Sequence, residues 1–188
     1  MESSGRLVVI EGIDGAGKTT VSEHICDDLG YTYMTQPEDS WVGEAARRGL
    51  NENIEPTCDL FLHMAAHANQ QAKLESELQA NHVIMDRYYH SRVSYQAVQS
   101  EFSPEEILEL HQDWTIEPSE VIILDLPVET ALERKKGGTD KFEKSEFLSK
   151  VRSVYRETFE DNQGVHFIDA ERSRREVLNE VERLLPDS

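Results

Sequence analysis

The stretch Gly12-Ile13-Asp14-Gly15-Ala16-Gly17-Lys18-Thr19 has the spacing G-x-x-x-x-G-K-[ST]. Three glycines within six residues free consecutive backbone N–H groups to turn toward one anion. Lys18 supplies a point charge, and the Thr19 hydroxyl is a hard oxygen donor suited to Mg²⁺. Thr20 continues into a helical pattern whose positive end adds to the same field. The chemistry of such a set is to hold a nucleoside triphosphate, ATP with Mg²⁺ being the ordinary case.

A second group, Asp86-Arg87-Tyr88, follows an apolar run directly. The planar fork of Arg87 can grip a second phosphate, and Asp86 can meet Mg²⁺ directly or through water. Thr19 and Asp86 are therefore the candidate metal ligands, and Lys18 and Arg87 the candidate cations at the reacting phosphates.

These residues need elements that bring them together. Apolar runs at Leu7 to Glu11, Tyr31 to Met34, His82 to Asp86, Val121 to Asp125 and Val165 to Ile168 read as short buried strands. Helical patterns separate them: Thr19 to Leu29, a helix capped by Asp39 or Ser40 and running to Leu50, Thr57 to Ala80, a helix to about Ser100, Ser103 to Asp113, Pro127 to about Lys136, Lys141 to Glu160, and Arg172 to Leu185. The alternation predicts an α/β fold, an open five-stranded parallel sheet with helices on both faces, in a single domain over 1–188. Ligands of such sheets bind at the carboxyl ends of the strands, where Gly12 to Thr19, Thr35-Gln36-Pro37, Asp86-Arg87 and Asp125 all fall.

Composition narrows the partners. With 37 acidic against 19 basic residues, a net charge of -18 disfavours a nucleic-acid surface, which needs clustered Lys and Arg. So acidic a chain suits either a high-salt cytoplasm or an acidic mesophilic enzyme. There is no apolar run of about 18 residues, and Met1-Glu2-Ser3-Ser4 lacks the basic and apolar parts of a signal peptide, so a cytoplasmic protein away from membranes is expected. Cys26 and Cys58 have no metal-type spacing and read as reduced thiols. Phe61, Leu62 and Met64 read as core or crevice wall, and Trp41 and Trp114 as partly buried.

The motifs together resemble the thymidylate kinase family, in an archaeal-type form. Ile10 to Thr20 is similar to its phosphate-loop signature, and Asp86-Arg87-Tyr88-x-x-Ser91-x-x-Ser94-Tyr95-Gln96 to its D-R-Y-x-x-S-x-x-A-Y-Q. Leu124 to Glu129 resembles its L-D-V-P-P-E, and Asp140-Lys141-Phe142-Glu143 the D-x-x-E that ends its lid. The resemblance implies a P-loop nucleoside monophosphate kinase fold with a lid over about 134–143, a homodimer for which the long helix from Thr57 is the candidate contact, and transfer of the ATP γ-phosphoryl group to dTMP. It assigns Asp14 to the region of the dTMP sugar hydroxyl, Arg87 to the dTMP phosphate, Tyr95 to the face under the sugar and Gln96 to the acceptor site, with Asp140 and Glu143 closing from the lid.

Chemistry agrees with that reading. A monophosphate has a second pKa of about 6 and is largely a dianionic nucleophile at neutral pH, so no dedicated base is required. Positioning and charge neutralisation carry the reaction.

Three departures from the family pattern carry expectations of their own. The loop offers Gly15-Ala16 where a basic residue can stand, so Arg134, Lys135, Lys136 or Lys141 is expected to serve the transferring phosphoryl group. Thr35-Gln36-Pro37 replaces R-E-P. His63 and His67 replace the aromatic that stacks on thymine and the arginine that reads the base edge, with Arg92 as a compensating contact. His63 and His67 also have an i, i+4 spacing able to hold zinc, although no third ligand lies nearby in sequence. Two alternatives stay open at this level: a kinase with another acceptor, for which Glu11 or Asp86 would be the base if the acceptor were a nucleoside, and a nucleotide-binding switch.

Overall fold

The computed structural model describes residues 5–49, 52, 54–135 and 141–185, with side chains left out at 141–143. Five strands, β1 (Leu7–Glu11), β2 (Thr32–Thr35), β3 (Val83–Asp86), β4 (Glu120–Asp125) and β5 (Val165–Asp169), form one sheet in the order β2-β3-β1-β4-β5. Every pairing is parallel, with Ile10 opposite Asp86 on one side and Ile122 on the other. All residues of β1 and of β3 are buried, which is what a parallel sheet covered on both faces requires.

Among the described residues eight helices connect and cover the strands: α1 (Lys18–Leu29), α2 (Trp41–Gly49), α3 (Pro56–Ala80), α4 (Tyr89–Gln99), α5 (Pro104–Glu109), α6 (Val128–Arg134), α7 (Lys141–Phe159) and α8 (Arg174–Leu184). Their ends follow local chemistry. Ser40 accepts from Gly43 N and starts α2, while Ser103 and Ser173 form capping boxes with Glu106 and Glu176. Gly30 ends α1 in the left-handed region. The helix expected to Asp113 is regular only to Glu109: His111 and Gln112 donate to the carbonyls three residues back, Leu108 O and Glu109 O, so the chain tightens into turns before Asp113 at φ 69°.

Side chains of all five strands, with Tyr155 and Phe159 from α7, make the main core. Phe61, expected as core or wall, is half exposed, and Trp41 is 81% exposed, since each stands on the outer side of its helix. Met64 does pack against the core, and Cys26 and Cys58 are free thiols. Among the described residues no helix is long and apolar enough to cross a membrane.

The order of strands reverses direction at β1. From β1 the chain crosses to β2 and β3 on one side, then to β4 and β5 on the other, so the carboxyl end of β1 faces a crevice. The phosphate-loop sequence lies there.

Candidate active site

The loop from Gly12 to Gly17 is shaped by its glycines. Gly12 and Gly15 have φ 133° and 90°, and a Cβ on either would strike backbone carbonyls, Leu124 O and Ala131 O respectively. Ile13 and Ala16 are buried, and Ala16 N closes the turn on Ile13 O at 3.1 Å. Lys18 Nζ donates to Gly12 O and Ile13 O, 2.9 and 3.0 Å. Burial, with Arg87 next, lowers its pKa to about 7, and Asp14, Asp86 and Glu11 oppose them.

Thr19 Oγ1 donates to Asp86 Oδ2 at 2.6 Å, and Tyr33 OH reaches the same oxygen at 3.3 Å. A hydroxyl and a carboxylate side by side, opening on the same cavity as Lys18, are hard oxygen donors that fit Mg²⁺. That cavity, about 540 Å³, is lined by Gly15, Gly17, Lys18, Thr19, Thr20, Asp86 and Arg87, with Arg134 and Lys135 closing it from α6. A neighbouring cavity of about 320 Å³ lies between the loop and Arg134, Arg172 and Arg174.

A third cavity, about 300 Å³, is lined by Asp14, Gln36, Pro37, His63, Arg87, Ser91, Arg92, Tyr95, Gln96 and Gln99. It adjoins the phosphate-loop cavity: Asp14, Gln36 and Arg87 line both. Ser91, Tyr95 and Gln99 recur every four positions, so one edge of α4 supplies much of its wall, and Arg87 joins it from just before the N-cap. That period was the available signal for Gln99, which motif reading passed over, and for a wall position of Ser91, which the motif contains without giving it a task.

Asp14 is the hub between the cavities. Its carboxylate is ion-paired with Arg87 and, at 2.5 Å, with Lys135 Nζ. Tyr95 OH accepts from Asp14 N at 3.0 Å, and the Arg87 guanidinium lies 5.4 Å over the Tyr95 ring. Burial by itself would raise the Asp14 carboxyl, but Arg87, Lys135 and Lys18 outweigh it and hold it below the carboxylate range. Arg87 sits at φ 68°, a left-handed conformation costing a non-glycine residue about 1 kcal/mol.

The base end differs from the expectation. His63 is on the cavity wall, and burial, then Arg92 and Arg87, lower its pKa to about 3, so it is a neutral ring able to stack and to donate one hydrogen bond. His67 is fully buried behind that wall and lines none of the three cavities. Its Nδ1 accepts from Gln36 Nε2 at 2.7 Å and its Nε2 lies 3.1 Å from Thr115 Oγ1. Gln36 draws it back: Gln36 Oε1 accepts from Arg92 at 2.9 Å, and the Gln36–Pro37 peptide is cis. Arg92, buried, brings a second guanidinium to this cavity beside that of Arg87, with His67 supporting it through Gln36. Gln96 lines the cavity while its amide donates to Asp59 at 2.6 Å.

Among the described residues His63 and His67 join no group of three metal-ligating side chains, so the zinc reading of that pair lapses. Of the lid candidates, Lys135 and Arg134 reach the phosphate-loop cavity, and Arg134 also donates to Ala170 O at 2.9 Å. Lys136 and Asp140 lie outside the described residues, as do the side chains of Lys141 and Glu143. Asp125, expected at the ligand edge, instead anchors α7, accepting from Arg152 Nε and Nη2 at 2.6 and 2.8 Å and from Arg156 Nη2 at 2.6 Å.

A triphosphate loop joined through one aspartate and one arginine to a second, base-sized cavity suits a two-substrate phosphotransferase. Residues 10–181 match the thymidylate kinase family model. The chain belongs to the thymidylate kinase family. It is 37% identical over 171 residues to the probable thymidylate kinase of Methanospirillum hungatei, covering 83% of this chain and 81% of that one. Against the probable thymidylate kinase of Halobacterium salinarum it is 36% identical over 193 residues, covering 97% and 96%. A solved structure of thymidylate kinase from Candida albicans superposes with a TM-score of 0.82 at 17% identity, covering 98% and 92%, a likeness of fold. Membership makes this chain an ATP-dependent nucleoside monophosphate kinase.

Proposed function

We propose that the chain transfers the ATP γ-phosphoryl group to dTMP, with the triphosphate on the Gly12 to Thr20 loop and the acceptor in the cavity walled by Arg87, His63, Arg92 and Tyr95. The observation that carries this reading is the pair of adjoining cavities sharing Asp14 and Arg87, because in-line transfer needs donor and acceptor phosphates to meet.

Each side chain then has a task. Lys18 and Lys135 neutralise charge at the transferring phosphoryl group, and Arg87 leaves Asp14 to grip the acceptor phosphate. Tyr95 supports the sugar and Asp14 its hydroxyl region. His63 lies against the thymine ring while Arg92 and Gln96 meet its edge. Thr19 and Asp86 would hold Mg²⁺, which would supply further neutralisation of phosphate charge. A nucleoside acceptor fits less well, because the Glu11 carboxylate accepts four hydrogen bonds and is buried, and Asp86 is engaged by Thr19 and Tyr33.

The test is ADP release with ATP and Mg²⁺ across dTMP, dUMP, dCMP, dGMP, dAMP and thymidine, at low and at molar KCl. Turnover should require an acceptor, favour dTMP and vanish on chelating the metal. Preference for a different monophosphate would move the substrate and keep the mechanism; ATP hydrolysis indifferent to any acceptor would overturn the reading.

We also infer a homodimer in the cytoplasm. Support comes from the family and from α3, a 25-residue helix that carries the half-exposed Phe61. Light scattering should give twice the monomer mass, and a monomer at micromolar concentration would refute the dimer.

A further inference from the structure

Helix α4 carries the acceptor wall, and its start is unusual. Tyr88 is the N-cap residue but offers no side-chain cap. Its backbone N–H and that of Ser91, the third helical residue, point at one oxygen: Glu11 Oε1 accepts from both, at 2.7 and 3.0 Å. A capping box satisfies these two donors with two side chains of the helix itself. Here a single carboxylate from β1, about 80 residues earlier in the chain, satisfies both.

The other carboxylate oxygen extends the arrangement. Glu11 Oε2 accepts from Ser91 Oγ at 2.5 Å and from Tyr155 OH of α7 at 2.8 Å. Ser91 Oγ in turn accepts from Arg87 Nη1 at 3.3 Å. Arg87 directly precedes the capped residue, and its own N–H donates to Ile10 O at 3.1 Å. The unfavourable backbone of Arg87 is thus clamped on one side by β1 through Ile10 and on the other by the next carboxylate of the same strand.

Resting on the reading that Arg87 holds the acceptor phosphate, we propose that Glu11 is the positioning residue of Arg87. It caps α4 from β1 and fixes the direction in which the guanidinium leaves the strand. Tyr155 ties α7 to the same carboxylate, so a third element shares in the aim. Glu11 is fully buried and does not meet substrate, so its effect reaches the reaction only through Arg87 and Ser91.

Kinetics of Glu11→Leu, Glu11→Gln and Tyr155→Phe test this, measured with each substrate varied in turn. Glu11→Leu strands both backbone donors and should raise KM for dTMP at least tenfold while KM for ATP stays within about twofold. Glu11→Gln keeps the accepting oxygen, and its amide can donate to the two hydroxyls, so it should restore KM for dTMP to within about threefold of the parent. Should Glu11→Leu not fold, Tyr155→Phe removes a single hydroxyl and should raise KM for dTMP about threefold, again without moving that for ATP. Equal shifts for both substrates would make Glu11 merely structural, and unchanged KM for dTMP in Glu11→Leu or in Tyr155→Phe would overturn the proposal. A parent enzyme without dTMP-dependent turnover would instead sink the assignment of the reaction.

Discussion

Replacing Arg87 by alanine should lower kcat/KM for dTMP by roughly 10²-fold or more, most of it through KM, with KM for ATP little changed. Removing one member of a buried, hydrogen-bonded charge pair costs about 2–5 kcal/mol, and 1.36 kcal/mol is about a factor of ten. Arg87 makes its ion pair with Asp14 at the junction of the two cavities, so the alanine variant loses the acceptor grip and leaves Asp14 to Lys135 alone. Arg87→Lys should recover little, because a point charge does not reproduce a planar fork held over the Tyr95 ring. Initial rates with dTMP varied at saturating ATP check this, and an unchanged KM for dTMP would remove Arg87 from the acceptor site.

The second large effect is a loss of stability in mild acid. His67, His90 and His111 are almost fully buried, and the His63 side chain is 11% exposed. Burial is the main cause that lowers their pKa values, to about 3 for His63 and His90, about 2 for His67 and about 4 for His111. An unfolded histidine titrates at about 6.5. The folded form therefore stays neutral while the unfolded chain takes up protons, so stability is full above pH 6.5 and declines as pH falls through 6 and 5. At pH 5 each group forfeits about 2 kcal/mol, and four of them together rival the whole stability of an ordinary domain. Urea unfolding from pH 8 to pH 5 should show a falling midpoint and an uptake approaching four protons on unfolding. A midpoint flat across that range would contradict neutral burial of the cluster.

The sequence made the fold and the phosphate loop easy to read, and the base end hard. Gly12 to Thr19 is a local arrangement, complete within eight residues, and strand periodicity with glycine and proline punctuation marked the five strands. His67 was misplaced because position in a family block says which helix face a residue occupies, not which long-range partner claims it. Gln36, just past the end of the edge strand β2 and 31 residues away in the chain, holds it behind the wall. Likewise nothing local announces that Arg87 takes φ 68°, or that α4 is capped by a strand formed some 77 residues before it. The helix from Ser103 ends at Glu109 because the amides of His111 and Gln112 bond three residues back rather than four, a tightening that propensity does not foresee.

Gly15 fits flush against Ala131 O, and that same carbonyl accepts the N–H of Lys135 at 3.2 Å. The phosphate loop and the cation beyond it are therefore spaced by a single turn of α6, a rise of about 5.4 Å. On the proposed assignment of Lys135 to the transferring phosphoryl group, this makes α6 a gauge block: the gap for the γ-phosphate is machined into the scaffold before ATP arrives, and the nucleotide has only to match it.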